Sequence, residues 1–246
     1  MARDTQLIFG FHVVASRLRH YADTIVEIYV QSARHDPRVR DLTSLAHARG
    51  VSVVPVDAAR LQGLSGGASH QGVVARVAPL HLAASLDDLV AQRGRDALLL
   101  LLDGVTDPHN LGACLRVADA MGVDAVVAPK DRSVGITPTV AKVASGAAET
   151  VPFITITNLA RTIEELQEAG LQVFGADEAG TVALPEADLS RPLAWVLGAE
   201  GEGLRRLTRE RCDRLIRIPM LGAVESLNVA VAAALCLYET RRAGRA

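Results

Sequence analysis

Polar side chains and glycines occur together in three segments of the second half of the chain. The segments are D-G-V-T-D-P-H-N-L-G-A-C-L-R (residues 103–116), L-G-A-E-G-E-G-L (197–204) and I-P-M-L-G-A-V-E-S-L-N-V-A-V-A (218–232). In the third, Asn228 stands just inside an almost wholly apolar stretch that predicts a buried helix. A buried amide needs hydrogen-bond partners, so we expect a ligand or a loop against this helix start. A plain strand and helix with a serine cap is the alternative.

The second segment has the chemistry of a cofactor turn. Glycines at the end of a predicted strand indicate that the backbone approaches something closely, and a nucleotide cofactor is the first candidate. The order G-x-x-G-x-G is not a dinucleotide fingerprint, and Glu200 and Glu202 would repel a pyrophosphate. S-adenosylmethionine, which has no phosphate and carries a sulfonium cation, fits better. A tight acidic turn without a ligand is the alternative.

In the first segment, Asn110 is predicted to cap a helix that ends before Gly122. Its apolar residues fall on one face, and Arg116 and Asp119 fall on another. Arg116 could simply pair with Asp119, three residues further along the helix.

From residue 97 the pattern alternates between strand and helix, which predicts a parallel sheet covered on both faces. The predicted strands are Leu98–Leu102, Ala125–Ala128, Leu171–Gly175, Leu193–Leu197 and Leu215–Ile218. Pro219 should end the last strand. Ser226 is the predicted cap of a helix over residues 227–239.

Residues 7–79 predict a separate α/β module. The apolar runs at residues 7–14, 25–30, 51–56 and 71–77 surround a helical pattern over 41–49 that stops at Gly50. Residues 63–71 predict a flexible glycine-serine loop, which could be a plain connection or could close over an RNA. A linker is expected over 80–96.

Charge is distributed unevenly along the 246 residues. Residues 1–79 carry nine Arg and six acidic residues, a net charge of +3, whereas the remainder carries 17 basic and 22 acidic residues, a net charge of −5. A polyanion should therefore prefer the N-terminal part, although nine arginines could equally be a solvated surface.

Composition limits the class of protein. A chain with 49% hydrophobic and 22% charged residues is typical of globular proteins. We find no signal-like start and no apolar run long enough to span a bilayer, so we expect a cytoplasmic protein without a membrane partner. Cys114, Cys212 and Cys236 are widely spaced and lack C-x-x-C spacing, which indicates free thiols and no metal site.

Together the three segments resemble the motifs of the SpoU (TrmH-type) branch of the SPOUT superfamily of RNA ribose methyltransferases. The N-terminal part is similar to the substrate-binding domain of that family. The runs G-F-H-V-V (10–14), S-H-Q-G-V-V-A-R-V (69–77) and K-V-A-S-G-A-A-E-T-V-P (142–152) extend the similarity to members that methylate guanosine in bacterial 23S ribosomal RNA.

This resemblance implies an RNA-binding domain over residues 1–79, similar to ribosomal-protein and kink-turn binders, a linker over 80–96 and a knotted α/β methyltransferase domain over 97–246. It implies a homodimer whose C-terminal helices pack together, with ribosomal RNA as substrate and S-adenosylmethionine as cofactor. Catalytic roles fall on Asn110, Arg116, Glu200, Ser226 and Asn228, and cofactor contacts on Gly198, Gly201, Ile218, Met220 and Leu227.

The implied reaction is attack of a ribose 2′-hydroxyl on the cofactor methyl group. An arginine remains protonated in proteins, so we expect Arg116 to hold an RNA phosphate and stabilise the developing alkoxide. Transfer RNA is the alternative substrate. An RNA-binding protein without catalysis and a nicotinamide-dependent oxidoreductase are the alternative functions; the glycine order and Glu200 disfavour the oxidoreductase.

Overall fold

The computed structural model describes residues 5–34, 36–67, 70–78 and 85–244. The chain divides into two compact units, Met1–His81 and Leu82–Ala246, here called unit 1 and unit 2. Each unit has its own hydrophobic core.

Unit 1 is a four-stranded mixed sheet with helices on both faces. Its strands are β1 (Gln6–Phe9), β2 (Ile25–Gln31), β3 (Val53–Val56) and β4 (Val73–Val77), in the order β1-β4-β2-β3. Strand β4 is antiparallel to β1 and β2, and β3 is parallel to β2. The helices are α1 (Phe11–His20), α2 (Pro37–Ala48) and α3 (Ala58–Ser65). The α/β module predicted for this region is therefore present.

Two local predictions for unit 1 need correction. Helix α2 starts at Pro37, ahead of the predicted start, because Asp36 accepts a hydrogen bond from the Arg38 amide (3.0 Å) and proline suits the first helical position. Residues 63–65, predicted as part of a loop, are the last residues of α3. Residues 68–69 of that predicted loop lie outside the described residues.

Unit 2 is a seven-stranded parallel sheet, as predicted from the alternating pattern. Its strands follow the order β7-β6-β5-β10-β8-β11-β9. They are β5 (Leu98–Asp103), β6 (Ala125–Pro129), β7 (Phe153–Ile156), β8 (Gln172–Ala176), β9 (Val182–Ala183), β10 (Leu193–Gly198) and β11 (Arg214–Arg217). The helices are α4 (Leu86–Arg93), α5 (Pro108–Ala120), α6 (Pro138–Ala144), α7 (Leu159–Glu168), α8 (Arg206–Arg211) and α9 (Val229–Ala243).

The five leucines of β5 are fully buried because helices cover both faces of the sheet. Leu98, Leu100 and Leu102 pack with residues of α5, α6 and α9, while Leu99 and Leu101 pack with residues of α4 and α7. A strand buried on both sides is a continuous apolar run, which is why this sequence pattern predicted it correctly.

Strands β7 and β9 and helix α4 were not predicted. Strand β9 has two residues and β7 has four, too few for a clear pattern. Helix α4 lies inside the predicted linker; Ser85 caps it, accepting from the Asp88 amide (3.4 Å), and its Leu89 and Val90 are buried. Residues 80–84 of the predicted linker lie outside the described residues.

Both predicted caps of the site helices are wrong by a few residues. Asp107, not Asn110, caps α5, since its Oδ1 accepts from the His109 amide (2.9 Å) and Pro108 follows it. Asn228, not Ser226, caps α9 by accepting from the Ala230 amide (3.0 Å). Among the described residues no helix has the length and apolar character needed to cross a membrane.

Candidate functional site

The three polar segments meet at one edge of the unit 2 sheet. They follow the carboxyl ends of β5, β10 and β11, and because these strands are parallel their carboxyl ends lie on the same side. This edge is the usual place for ligand sites in open α/β sheets.

The Asn228 side chain joins the three segments. Its Nδ2 donates to Asn110 Oδ1 (2.8 Å) and to Glu200 Oε1, while its Oδ1 accepts from the Ala230 amide. Asn228 is exposed rather than buried as expected, but its amide does find partners in two loops that lie against the helix start. With its oxygen used as a cap and its nitrogen shared between two acceptors, Asn228 fixes the positions of Asn110 and Glu200.

Helix α9, which carries Asn228, is held by polar contacts near its other end. The buried Trp195 Nε1 of β10 donates to Thr240 Oγ1 (2.9 Å). Arg241 Nε donates to the Met121 carbonyl (2.6 Å) just after α5. These bonds tie α9 to β10, which precedes the second polar segment, and to the end of α5, which carries part of the first, so they help to set the position of Asn228.

The turn after β10 requires glycine at its first position. A Cβ atom on Gly198 would lie 2.0 Å from the Gly203 carbonyl carbon and 2.4 Å from the Leu204 nitrogen. The chain folds back on itself here, with the Gly203 amide donating to the Ala199 carbonyl (2.9 Å). The close backbone approach inferred from the glycines is thus an approach of the turn to its own strand.

An ion pair between a buried carboxylate and an exposed arginine, which sequence reasoning missed, secures this turn. Asp103 Oδ2 at the end of β5 accepts from the Arg205 amide (2.9 Å), and Oδ1 lies 3.2 Å from Arg205 Nε. The Asp103 carbonyl also accepts from the Ala199 amide (3.1 Å). The Asp103 side chain is fully buried, so removing its partner would leave an uncompensated charge. The sequence signal that could have indicated this pair is a single aspartate directly after five leucines.

A cleft of about 380 Å³ opens between the second and third segments. All five predicted cofactor-binding residues line it, together with two of the predicted catalytic residues. These are Gly198, Gly201, Ile218, Met220 and Leu227, with Glu200 and Ser226.

The walls of the cleft are strongly acidic. Five carboxylates and one guanidinium line it, from Asp177, Glu178, Glu200, Glu202, Glu225 and Arg209. The guanidinium is itself paired, since Arg209 Nε donates to the buried Asp177 Oδ2 (2.9 Å). Such walls repel phosphate and favour a cationic ligand. Asp177, Glu178 and Arg209 were not predicted, although the first two follow directly after the carboxyl end of a strand.

Arg116 stands apart from the other predicted catalytic residues. It is exposed on α5, about 9 Å along the helix axis from Asn110, and it does not line the cleft. Asp119 accepts instead from Thr150 Oγ1 (2.6 Å), so the suggested pair of Arg116 with Asp119 is not formed. Within the described part of the chain, Arg116 has no ion pair or hydrogen-bonded side-chain partner.

The three cysteines are free thiols, as predicted. Burial raises the pKa of Cys114, Cys212 and Cys236 to about 12. Each stays protonated at neutral pH, so none has the thiolate needed for nucleophilic catalysis.

Comparison with known proteins assigns the family. The sequence pattern of the SpoU rRNA Methylase family matches residues 97–238. The chain belongs to this family. The pattern described as "RNA 2'-O ribose methyltransferase substrate binding" matches residues 7–83. The resemblance seen in the three polar segments is therefore confirmed.

Relatives with high identity cover nearly the whole chain. The 23S rRNA (guanosine-2'-O-)-methyltransferase RlmB of Ralstonia nicotianae is 58% identical over 238 residues, 97% of this chain and 96% of that protein. The protein of the same name from Neisseria meningitidis serogroup B is 52% identical over 96% of this chain and 94% of its own length.

Solved structures share the fold of the SpoU family member described here. An RNA 2'-O ribose methyltransferase matches with a TM-score of 0.75 and 27% identity, covering 100% of this chain and 91% of that one. The SpoU methyltransferase AviRb from Streptomyces viridochromogenes, in complex with the cofactor AdoMet, matches with a TM-score of 0.72 and 25% identity over 98% and 91% of the two chains.

Proposed function

We propose that this protein transfers a methyl group from S-adenosylmethionine to the ribose 2′-hydroxyl of a guanosine in 23S ribosomal RNA. The observation that carries the proposal is the meeting of Asn110, Glu200 and Asn228 beside an acidic, glycine-backed cleft. Membership of the SpoU family and the names of the relatives support the substrate.

The residues of the cleft fit this cofactor. Gly198 and Gly201 offer backbone without side chains, and Ile218, Met220 and Leu227 offer apolar surface, so these five would hold it. The carboxylates suit a ligand with a sulfonium and an ammonium group and no phosphate. When bound, S-adenosylmethionine supplies a methyl carbon activated by its sulfonium.

The polar residues around the cleft would orient the RNA ribose. Because Asn228 occupies one carboxylate oxygen of Glu200 and the Asn110 carbonyl oxygen, the second Glu200 oxygen and the Asn110 Nδ2 remain available for a ribose. Ser226, exposed at the cleft, would contact the ligand or the ribose from the third segment. Fixed placement of two reactants contributes about 7–11 kcal/mol in favourable cases.

Arg116 would act on the RNA side of the reaction. Its guanidinium is exposed and stays protonated, so it can hold an RNA phosphate and stabilise the developing alkoxide but cannot accept the hydroxyl proton. We assign the proton to a phosphate oxygen or a water molecule.

Cofactor titration and a methylation assay test the proposed function. We expect calorimetry to detect binding of S-adenosylmethionine or S-adenosylhomocysteine with a chelator present, and the protein to methylate unmodified 23S ribosomal RNA. Absence of binding at about 1 mM cofactor, the upper end of typical KM values, would refute the proposal, as would a requirement for a divalent ion. Methylation of transfer RNA instead would support the alternative substrate. Mapping ribose methylation in a strain lacking the gene would identify the nucleotide.

We assign selection of the RNA to unit 1. Its part of the sequence carries a net charge of +3 and matches the substrate-binding pattern. The fragment Leu82–Ala246 should bind the cofactor in the calorimetric titration, since the cleft residues all belong to unit 2. It should not bind 23S ribosomal RNA specifically. Unchanged RNA affinity in the fragment would contradict this role.

A homodimer is the expected assembly. Helix α9 exposes three large apolar side chains, Val231 (47%), Leu235 (40%) and Tyr238 (60%), which are four and three residues apart and so lie on one face of the helix. The loop before the helix also exposes Leu221 and Val224. An apolar stripe on one helix face is typical of a surface covered by a partner, and a twofold dimer is the commonest assembly.

Charges on this stripe should therefore produce a monomer. We expect the variant Leu235→Glu with Tyr238→Glu to have half the wild-type mass by sedimentation equilibrium, because each subunit would bury two unpaired carboxylates in the interface. Leu207→Glu on α8 is the matched control, since Leu207 is also an exposed leucine (51%) but lies on another helix. A monomeric wild type, or a dimeric double variant, would contradict the proposed interface.

We also propose that unit 2 contains the knot implied by the family. In the sheet, β10 lies between β5 and β8, whereas β11 lies on the far side of β8. The chain must return from β11 to the α5 side to form α9, which supports passage of residues 218–228 through a loop. Such knots are rare, and tracing the backbone in a crystal structure would test the passage.

A further inference from the structure

Most positive side chains of unit 2 are already engaged by protein groups. Eight of its arginines form ion pairs with carboxylates, and Arg217 and Arg241 donate to backbone carbonyls. Among the described residues of unit 2, six cations have neither an ion pair nor a side-chain hydrogen bond: Arg95, Arg116, Lys130, Arg132, Lys142 and Arg214.

Four of these six, Arg116, Lys130, Arg132 and Lys142, belong to neighbouring elements of unit 2. Lys130 and Arg132 are exposed in the loop after β6, and the Val134 amide of that loop donates to the Val105 carbonyl (3.0 Å) in the first polar segment. Lys142 is exposed on α6. Arg95 and Arg214, in contrast, stand at the amino ends of β5 and β11.

Helix α6 packs very closely on α5, the helix that carries Arg116. A Cβ atom on Gly112 would lie 2.6 Å from Val143 Cβ and 2.9 Å from the Val140 carbonyl oxygen. Arg116 is one turn beyond Gly112, and Lys142 is next to Val143, so both cations flank this helix contact. Lys130 and Lys142 are also the only two lysines of the whole chain.

We propose that Lys130, Arg132 and Lys142, here called the cationic strip, bind the phosphate backbone of the RNA substrate and lead it to Arg116. This inference rests on the proposed function and adds an RNA-binding surface to unit 2. The charge argument is specific because unit 2 is acidic overall and its cofactor cleft repels phosphate. An RNA chain approaching the cleft therefore needs unpaired cations elsewhere on unit 2, and the strip supplies them on elements that contact the first polar segment and α5.

The strip retains a positive balance after the acidic residue inside its loop is included. Asp131, between Lys130 and Arg132, is exposed and leaves a net charge of +2 for the strip. On α5, Asp119 accepts from the Thr150 hydroxyl and keeps its negative charge, but it forms no ion pair with Arg116.

A pair of double variants tests the strip in the full-length protein. The test variant is Lys130→Gln with Lys142→Gln. The control is Arg95→Gln with Arg214→Gln, which removes the same charge from exposed, unpaired side chains at the opposite edge of the sheet. The probes are a 23S ribosomal RNA fragment, titrated over a range of salt concentrations, and S-adenosylhomocysteine, titrated by calorimetry.

Each lost phosphate contact should lower the slope of log affinity against log salt by about 0.7–0.9. From about 50 to about 200 mM salt, the wild type should thus lose about tenfold more affinity than the test variant, while the control keeps the wild-type slope. We expect the test variant to bind S-adenosylhomocysteine normally and to show a raised KM for RNA with kcat within about twofold of wild type.

The outcomes separate this inference from the proposed function. A test variant with the slope and RNA affinity of the control would overturn the cationic strip while leaving methyl transfer by the wild type intact. A wild-type protein that neither binds the cofactor nor methylates RNA would refute the proposed function. The salt slopes would still decide whether the strip binds RNA.

Discussion

Replacing Gly198 with alanine should weaken cofactor binding strongly. The new methyl group would overlap backbone atoms of Gly203 and Leu204 at 2.0–2.4 Å, and backbone cannot move aside as the end of a side chain can. Opening the turn would displace Gly201 and Glu200 from the cleft wall. Calorimetry should show affinity for S-adenosylhomocysteine reduced by about a hundredfold or more, equivalent to about 3 kcal/mol, the upper range for overpacking.

Two further alanine substitutions make the Gly198 result interpretable. Gly135→Ala is the matched control, because a Cβ there meets no atom within 4 Å and the φ is not positive. A Cβ on Gly201 would meet no atom within 4 Å, but the residue has a φ of +78°. Gly201→Ala should therefore destabilise the turn by only about 1–2 kcal/mol of backbone strain. Thermal unfolding checks that each variant folds. Wild-type cofactor affinity in a folded Gly198→Ala protein would show that the turn does not form the cofactor site.

Replacing Arg116 with alanine should reduce methyl transfer by about a hundredfold or more, the usual effect of removing a transition-state contact. Cofactor affinity should not change, since Arg116 does not line the cleft. The measurements are single-turnover methylation of 23S ribosomal RNA and calorimetry with S-adenosylhomocysteine. Arg116→Lys should recover part of the rate, because lysine keeps the charge but lacks the bidentate fork.

Arg95→Ala is the control for Arg116, since Arg95 is another exposed arginine without an ion pair among the described residues and lies at the opposite edge of the sheet. It should methylate at the wild-type rate. Normal turnover by Arg116→Ala would remove Arg116 from the reaction and reduce it to a surface cation.

Local pattern was sufficient where burial alone decides structure. The apolar run of β5 and the strand that becomes β10 were predicted within one residue of their observed ends. Predictions of helix caps failed where two polar residues compete within a few positions. Asp107 prevails over Asn110 because Pro108 favours the first helical turn, and Asn228 prevails over Ser226 because its own backbone (φ −52°, ψ 139°) is non-helical and the helix begins only at Val229.

The sequence by itself determined the parallel α/β sheet and the three polar segments, since these depend on apolar periodicity and on glycines and polar groups near one another in the chain. The five cofactor residues came from the family resemblance that these segments carry, and Asp177, Glu178 and Arg209 of the cleft wall were not predicted. Only the tertiary structure decided which residues touch. Asn228 meets Asn110 across 118 residues because α9 returns from β11 to pack beside α5. Asp103 meets Arg205 because β10 pairs directly with β5. Contacts of this kind depend on strand order, which no local pattern encodes.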